Sequence, residues 1–371
     1  MYLVLALLNS KVGSYYIALF NPTMNNTNSD IKRVPYLLKT KNDEIVSLVK
    51  DNIRISKEDW DSSETAWDFN KSPLIGVSSK IEEAMMLLKK KREDRIHSLK
   101  LNEESLNSIF IELYGLSDVI STTVEDEEVS LTEFDEQASV KELISYAVGC
   151  MFGRYSINKD GLICAGPDVN EEDFGDYLPD IDGIIPITDD EYFNDDIVNR
   201  FEEFLEIAFS KETLEDNISY IAKILGGKGS PREVIRNYFL TSFFDDHVKM
   251  YQKRPIYWLF DSGKKNGFKC LVYSHRYKKD TIARIRTDYV HEIQSRYRTV
   301  IADLEQRINN ASTSERVKLN KQLKSIQDKD EELKKYEEKI HHLADQMISI
   351  DLDDGVKENY AKFQDVLAKI K

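Results

Sequence analysis

Between Lys253 and Tyr277 the chain reads KRPIYWLFDSGKKNGFKCLVYSHRY, and no other stretch limits the fold as tightly. Two apolar, aromatic-rich runs, Pro255–Phe260 and Phe268–His275, flank a turn of Gly, Lys and Asn, the pattern of a β-hairpin. Its loop and exit are basic, with Lys264, Lys265, Lys269, Arg276, Lys278 and Lys279. Beyond it, residues 281–309 and 315–348 read as two long helices. Ile293, Tyr297, Val300 and Leu304 alternate by four and three, and Ile326, Leu333, Ile340 and Met347 recur every seven. The polar break at 309–315, with Ser314 as a cap, favours an antiparallel helical hairpin over one rod. The expected class is therefore α+β, predominantly helical, with a β-hairpin near 255–275 followed by a long, coiled-coil-like helical hairpin.

A length of 371 residues leaves room for two or three domains. The formal net charge of −15 argues against a nucleic-acid partner only until its distribution is seen. Residues 116–245 hold 30 acidic and 9 basic side chains, net −21, whereas 246–300 hold 13 basic and 5 acidic, net +8. The whole-chain sum hides a basic surface candidate. Three regions are expected: 1–75, an acidic and mainly helical 76–245, and a basic 246–371. No apolar run approaches the ~18 residues of a membrane span. The start MYLVLALLNSKVGSYYIALF lacks a basic leader and is broken by Asn9, Ser10 and Lys11, so it reads as a buried amphipathic helix rather than a signal peptide. Cys150, Cys164 and Cys270 suggest neither a disulfide framework nor a zinc site. The expected compartment is the cytoplasm.

Along the chain, residues 1–20 form a helix stopped by Asn21-Pro22-Thr23, since proline lacks the amide proton a helix interior needs. Asn25–Ser29 reads as a polar loop, Asp30–Pro35 as an extended exit, and 43–59 as a second helix. Trp60, Trp67 and Phe69 stand among acids; they read as core anchors of a loop, because the surrounding negative charge disfavours the alternative, a base-stacking platform. Residues 79–113 are helical, and the basic run Lys89–Arg92 with Arg95 is nearly cancelled by neighbouring acids. Residues 121–138 have the look of an exposed acidic linker. In the helix Val140–Tyr155, Gly149 and Gly153 permit close packing, and Arg154 either contacts phosphate or, the favoured reading, caps its own helix. Residues 166–196 form an irregular acidic loop in which Asp180, Asp182, Asp189 and Asp190 could gather a cation, although no EF-hand spacing is present and solvation is the commoner role. Helices resume at 195–209 and 213–225. Gly226-Gly-Lys-Gly-Ser230 fails the phosphate-loop spacing and reads as a helix stop followed by a start at Ser230-Pro231. Asp351–Gly355 is a turn before a final helix at 357–370.

No catalytic constellation emerges. Adenine N6 methylation needs a glycine-rich cofactor turn and an Asn/Asp-Pro-Pro-aromatic loop, and Asn21-Pro22-Thr23-Met24 lacks the second proline and the aromatic. The six histidines show no metal-ligand spacing.

Four blocks, residues 1–36, 51–75, 140–166 and 241–371, resemble the C-terminal portion of the PglX-type adenine-specific DNA methyltransferases of BREX phage-defence systems, and related restriction–modification methylases. The carrying strings are LALLNSK…LFNPTMN…DIKRVPY, DWDSSETAWDF, VKELISYAVGCMFGRY and the hairpin itself. The resemblance implies the end of a target-recognition region at residues 1–75. It also implies that methyl transfer and S-adenosylmethionine binding belong to an N-terminal catalytic portion outside these 371 residues, so this chain alone is expected to be inactive. Double-stranded DNA and that catalytic portion are the expected partners. Lys264, Lys265, Lys278, Lys279, Arg284 and Arg286 are the expected phosphate contacts, with Tyr273 and Tyr277 either packing on sugars or serving as core. The competing reading is a protein-interaction module that docks other defence components or a phage protein.

Overall fold

The computed structural model describes residues 1–21, 23, 25, 27–37, 42–166 and 169–371. They fall into two compact units, Met1–Ala66 with Met85–Asp135 and Trp67–Ala84 with Glu136–Lys371.

The first unit is helical. The single helix expected over 1–20 is two, α1 (Tyr2–Asn9) and α2 (Lys11–Phe20), bent by 69°. Ser10 makes the break: its hydroxyl donates to the Leu7 carbonyl at 2.7 Å and accepts from the Gly13 amide at 3.2 Å, capping both helices at once. Pro22, expected to stop this segment, lies outside the described residues. Instead of an extended exit, α3 (Asn28–Arg33) forms, because Thr27 and Asp30 make a reciprocal capping box. α4 (Asn42–Trp60) matches the expected helix, and α5 (Ile81–Tyr114) belongs to this unit from Met85 onward. Leu7, Val12, Ile45, Val49, Leu106 and Phe110 build its main core. The acidic 121–138 stretch is no free linker, since Val124, Val129 and Leu131 are buried against Ile55 and Leu99. Arg92 and Arg95, part of the basic run, reach Asp59 (3.1 Å) and Glu58 (2.8 Å) on α4.

The aromatic anchor is a correction. Trp60 is 69% exposed and Trp67 fully so, while Ala66 takes the inward place. Phe69 alone of the three is buried, packing edge-on against Tyr146 and Tyr155.

The second unit surrounds α6 (Glu136–Met151), in which every residue from Leu143 to Met151 is buried. The enclosed stretch carries no charged side chain, as burial on all sides requires. A strand, β1 (Ile184–Ile187), appears inside the stretch expected to be irregular loop. The expected hairpin is present as β2 (Tyr257–Asp261) and β3 (Lys269–Tyr273). The sheet is antiparallel in the order β1-β3-β2, with Leu259 opposite Leu271 and Ile185 opposite the same residue from the other side. A run of four apolar residues between Gly183 and Thr188 is too short to distinguish from loop by periodicity; pairing with β3 makes it a strand.

α7 (Ile197–Ala208) and α8 (Leu214–Leu225) stand where helices were expected. α9 (Pro231–Thr241) begins as anticipated, with Ser230 and Glu233 forming a capping box and Pro231 in the first turn. α10 (Phe243–Met250) leads into the hairpin, and α11 (Thr281–Arg284) follows it, continued by a π-helical segment, Ile285–Val290. α12 (His291–Asn310) and α13 (Thr313–Asp345) form the helical hairpin. The break is tighter than expected, and Ser312 rather than Ser314 sits at the cap, its hydroxyl meeting that of Ser314 at 3.5 Å rather than a helix amide. Of the seven-residue series, Leu333 and Ile340 are buried, but Met347 is exposed because α13 ends at Asp345. The final helix, α14 (Gly355–Ala361), is shorter than expected. The chain instead extends along β2: the Asp261 amide donates to the Val366 carbonyl at 3.0 Å and the Ala368 amide to that of Leu259 at 2.8 Å. An open strand edge offers unpaired amides and carbonyls, and this segment covers them.

Candidate nucleic-acid interface

The hairpin tip is a tied loop. Ser262 and Phe268 close it by an amide-to-carbonyl bond of 3.0 Å and a Phe268 amide to Ser262 hydroxyl bond of 2.8 Å. One carboxylate, Glu332 on α13, then accepts from the Ser262 hydroxyl (2.9 Å), the Lys265 amide (2.8 Å) and the Gly267 amide (3.1 Å). Gly267 is required there, since a Cβ would lie 2.9 Å from the Lys329 carbonyl oxygen of α13. Lys264 and Lys265 are exposed on this fixed tip; Lys265 pairs with Asp328 at 3.0 Å.

At the opposite end of the hairpin, Lys278 and Lys279 are exposed on the turn into α11, fixed by the Lys278 amide donating to the Thr281 hydroxyl at 2.9 Å. Arg284, also exposed, pairs with Asp280 at 2.9 Å. Half-buried Arg286 leaves the π-helical segment to meet Glu337 of α13 at 2.6 Å, and His291 reaches the same oxygen at 3.3 Å. Burial works against ionisation of Glu337, but Arg286 and His291 hold its carboxyl below the usual range. Among the described residues no ion pair involves Lys264, Lys278 or Lys279.

These contacts lie in order along α13. The tip meets Asp328 and Glu332, Arg286 meets Glu337, and the Tyr277 hydroxyl donates to the Ile348 carbonyl just past the helix end at 3.0 Å. The helix from Asp328 to its end spans about 26 Å, against roughly 34 Å for one turn of duplex DNA.

Not every basic residue of the segment faces outward. Lys269 is buried, donating to the Leu240 carbonyl at 2.9 Å beside Asp261. Arg276 is buried too, its guanidinium donating to the carbonyls of Asp180 (2.7 Å) and Ile181 (3.0 Å). Tyr273 and Tyr277 are buried, so of their two readings the core role holds and sugar packing does not. Arg154 does not cap α6; its guanidinium donates to the hydroxyls of Tyr155 (3.0 Å) and Tyr273 (3.1 Å). Sequence reasoning missed Lys253 and Arg254, although they belong to the same basic segment. They are exposed at the hairpin base, Lys253 with a left-handed φ of 63°. Asp328, Glu332 and Glu337 carried no such signal, because more than fifty residues separate each from its partner in the basic segment.

The four aspartates considered for a cation are split by β1. Asp180 accepts from the amides of Gly183 (2.7 Å) and Ile184 (3.2 Å), and Asp182 with Asp195 accepts from the Tyr289 hydroxyl (3.1 and 2.8 Å). At the strand's other end Asp189 pairs with Lys329, and Asp190 accepts from the Glu191 amide. Among the described residues no three His, Cys, Asp or Glu side chains are grouped to hold a metal. All three cysteines are buried, and no disulfide joins them. Burial, reinforced by Asp182, pushes the Asp180 carboxyl up to about 7.

No protein-family model matches the chain. The adenine-specific methyltransferase PglX of Lacticaseibacillus casei (strain Zhang) is 42% identical over 371 aligned residues, covering 97% of this chain and 31% of the relative. The adenine-specific methyltransferase BrxX of Escherichia coli O9:H4 (strain HS) is 38% identical over 401, covering 100% of this chain and 33% of the relative. By sequence the chain is similar to one part of the PglX and BrxX adenine-specific methyltransferases. It spans about a third of the length of the curated relatives it matches. Similarity at this level along nearly the whole chain takes in the hairpin, its basic turns and the helical hairpin together. No single helix is long and apolar enough to cross a membrane among the described residues.

Proposed function

We propose that this chain is the non-catalytic, DNA-engaging and scaffolding C-terminal portion of an adenine-specific DNA methyltransferase of the BREX or a related restriction–modification type, working in the cytoplasm. Methyl transfer and S-adenosylmethionine binding are assigned to the remaining two thirds of the parent protein. The observation that carries the DNA role is the set Lys264, Lys278 and Lys279, exposed without an ion pair among the described residues and held on turns that are themselves tied to the fold. Lys265, Arg284 and Arg286 complete the set when a phosphate replaces Asp328, Asp280 and Glu337 as their partner. Such groups supply affinity and register, and leave sequence choice to base-edge contacts.

Reversal of Lys264, Lys278 and Lys279 to glutamate in the full-length methyltransferase tests this. Affinity should fall for every duplex alike, and the slope of log K against log salt should shrink by roughly 0.9 for each phosphate no longer neutralised. Unchanged affinity and slope in a folded variant would reject the assignment. A second reading, a docking module for other defence components or a phage protein, is favoured by Trp67, whose ring is fully exposed. Tryptophan is among the residues that anchor protein interfaces, where a partner's pocket covers the ring. On that reading Trp67→Ala abolishes partner capture and leaves the salt slope untouched.

A further inference from the structure

The first unit holds a cavity of about 460 Å³ among α1, α4 and α5 and the segment near Glu128. Ligand sites of this size are mostly apolar with a few placed polar groups. Here Val49, Leu99 and Leu106 form a buried floor, and Leu5 and Ile53 line it while staying 40% and 42% exposed, so apolar surface is presented to whatever enters. Two carboxylates border it. Glu128 is engaged, accepting from Lys11 Nζ at 3.0 Å and from the Glu125 amide at 2.8 Å. Glu103, half-buried on α5, has no hydrogen-bond or ion-pair partner among the described residues. Burial and then the charge of Glu128 push its carboxyl above the usual range, the condition of an anion lacking a counter-ion. The cavity lining contains no lysine or arginine.

We propose that this cavity binds an organic cation on a hydrocarbon stem, an alkylammonium or alkylguanidinium group, with Glu103 as its counter-ion and Leu5, Ile53 and Leu99 packing the stem. The cation supplies what Glu103 lacks, and the stem covers apolar surface that water otherwise wets. An anion is disfavoured by both carboxylates, and a neutral polar ligand leaves Glu103 uncompensated. The same chemistry is offered by a free amine and by a lysine or arginine side chain of a polypeptide. The site shares no residue with the basic segment and stands whether or not that segment binds DNA.

Calorimetric titration of the full chain at low salt with agmatine, spermidine, N-acetyl-arginine amide and uncharged n-butylurea tests it. At least one cation should bind, n-butylurea should bind at least tenfold more weakly, and Glu103→Gln should weaken the cation at least tenfold. Affinity in the parent should fall as pH drops and Glu103 takes up a proton, and this dependence should vanish in Glu103→Gln. Tighter binding of the capped arginine marks a polypeptide side chain as the source, and tighter binding of agmatine or spermidine marks a free amine. Ile53→Ser, altering a wall residue already part-exposed, should weaken the cation severalfold and provides the reading should the Glu103 variant fold poorly. Equal binding by parent and both variants, equal binding of n-butylurea, or binding of none of the cations overturns the proposal.

Discussion

Gly149 lies inside α6, where alanine would ordinarily be the better residue by about 1 kcal/mol. A Cβ there would sit 2.5 Å from the Tyr155 ring and 3.2 Å from the Tyr257 hydroxyl. Tyr155 cannot yield, being buried and stacked on Tyr146 with Phe69 at its edge. Gly149→Ala should therefore destabilise the chain by about 1–3 kcal/mol, read from chemical denaturation, against the helix-propensity expectation. The sequence spacing Gly149–Gly153 signals close packing, but the approaching groups at Gly149 are aromatic side chains rather than a neighbouring backbone. Asp180 offers a second test at this scale. Its folded pKa of about 7 lies above the unfolded value near 3.8, so the folded state retains a proton that the unfolded chain releases. Below pH 4 the group contributes nothing; between about 4 and 7 it increasingly opposes folding, and above 7 the cost stays constant. Asp180→Asn keeps an oxygen for the Gly183 and Ile184 amides. Its melting temperature relative to the parent should rise steadily from pH 4 to pH 7 and then level off, and a flat difference throughout would contradict the assignment.

Among the elements, the hairpin is the most legible because two continuous apolar runs, their aromatic content and a Gly-containing turn agree on one structure. What fixes its tip is not legible. Glu332 accepts three hydrogen bonds from residues more than sixty positions earlier. Replacing it with alanine should cost about 1–3 kcal/mol and speed amide exchange at Lys265 and Gly267, while β2–β3 ladder amides stay protected; deuterium exchange by mass spectrometry reads both. The π-helical segment Ile285–Val290 has the sequence of ordinary helix. Its wider turn accompanies an inward Tyr289, bonded to Asp182 and Asp195, and an outward Arg286 on Glu337. Caps tell more: the Ser230–Pro231–Glu233 start is visible because every donor and acceptor it uses lies within four residues. Ser10 has the same local chemistry, but the apolar run around it hides the signal.

For the whole molecule, the acidic and basic stretches are not separate bodies. β1, from the acidic stretch, pairs along its length with β3 of the basic one, and Lys329 of α13 pairs with Asp189. The net charge of −15 thus coexists with an outward basic hairpin in the same unit as many of the acids. On the proposed reading, DNA affinity should fall as salt rises, because counterions compete with the lysines for the phosphates; a titration from low to physiological salt reads this. Since the motifs for cofactor and base are absent from the sequence, calorimetry with S-adenosylmethionine should show no micromolar binding to this chain. A measurable micromolar affinity would place part of the cofactor site here.

The sequence by itself determined the class of fold, the hairpin, the helical hairpin with its break, most helix positions and the resemblance to the methyltransferases, because each rests on short-range pattern or on contiguous strings. It also determined which residues are basic. Only the tertiary structure decided which of those are available: Lys269 and Arg276 turn inward to carbonyls, Lys265, Arg284 and Arg286 are partnered, and Lys264, Lys278 and Lys279 stand outward. It likewise buried Phe69 and exposed Trp60 and Trp67, three aromatic residues that look alike in one dimension. A side chain's charge and size are local properties. Its burial and its partner depend on segments brought together from dozens of residues away, and no spacing along the chain encodes them.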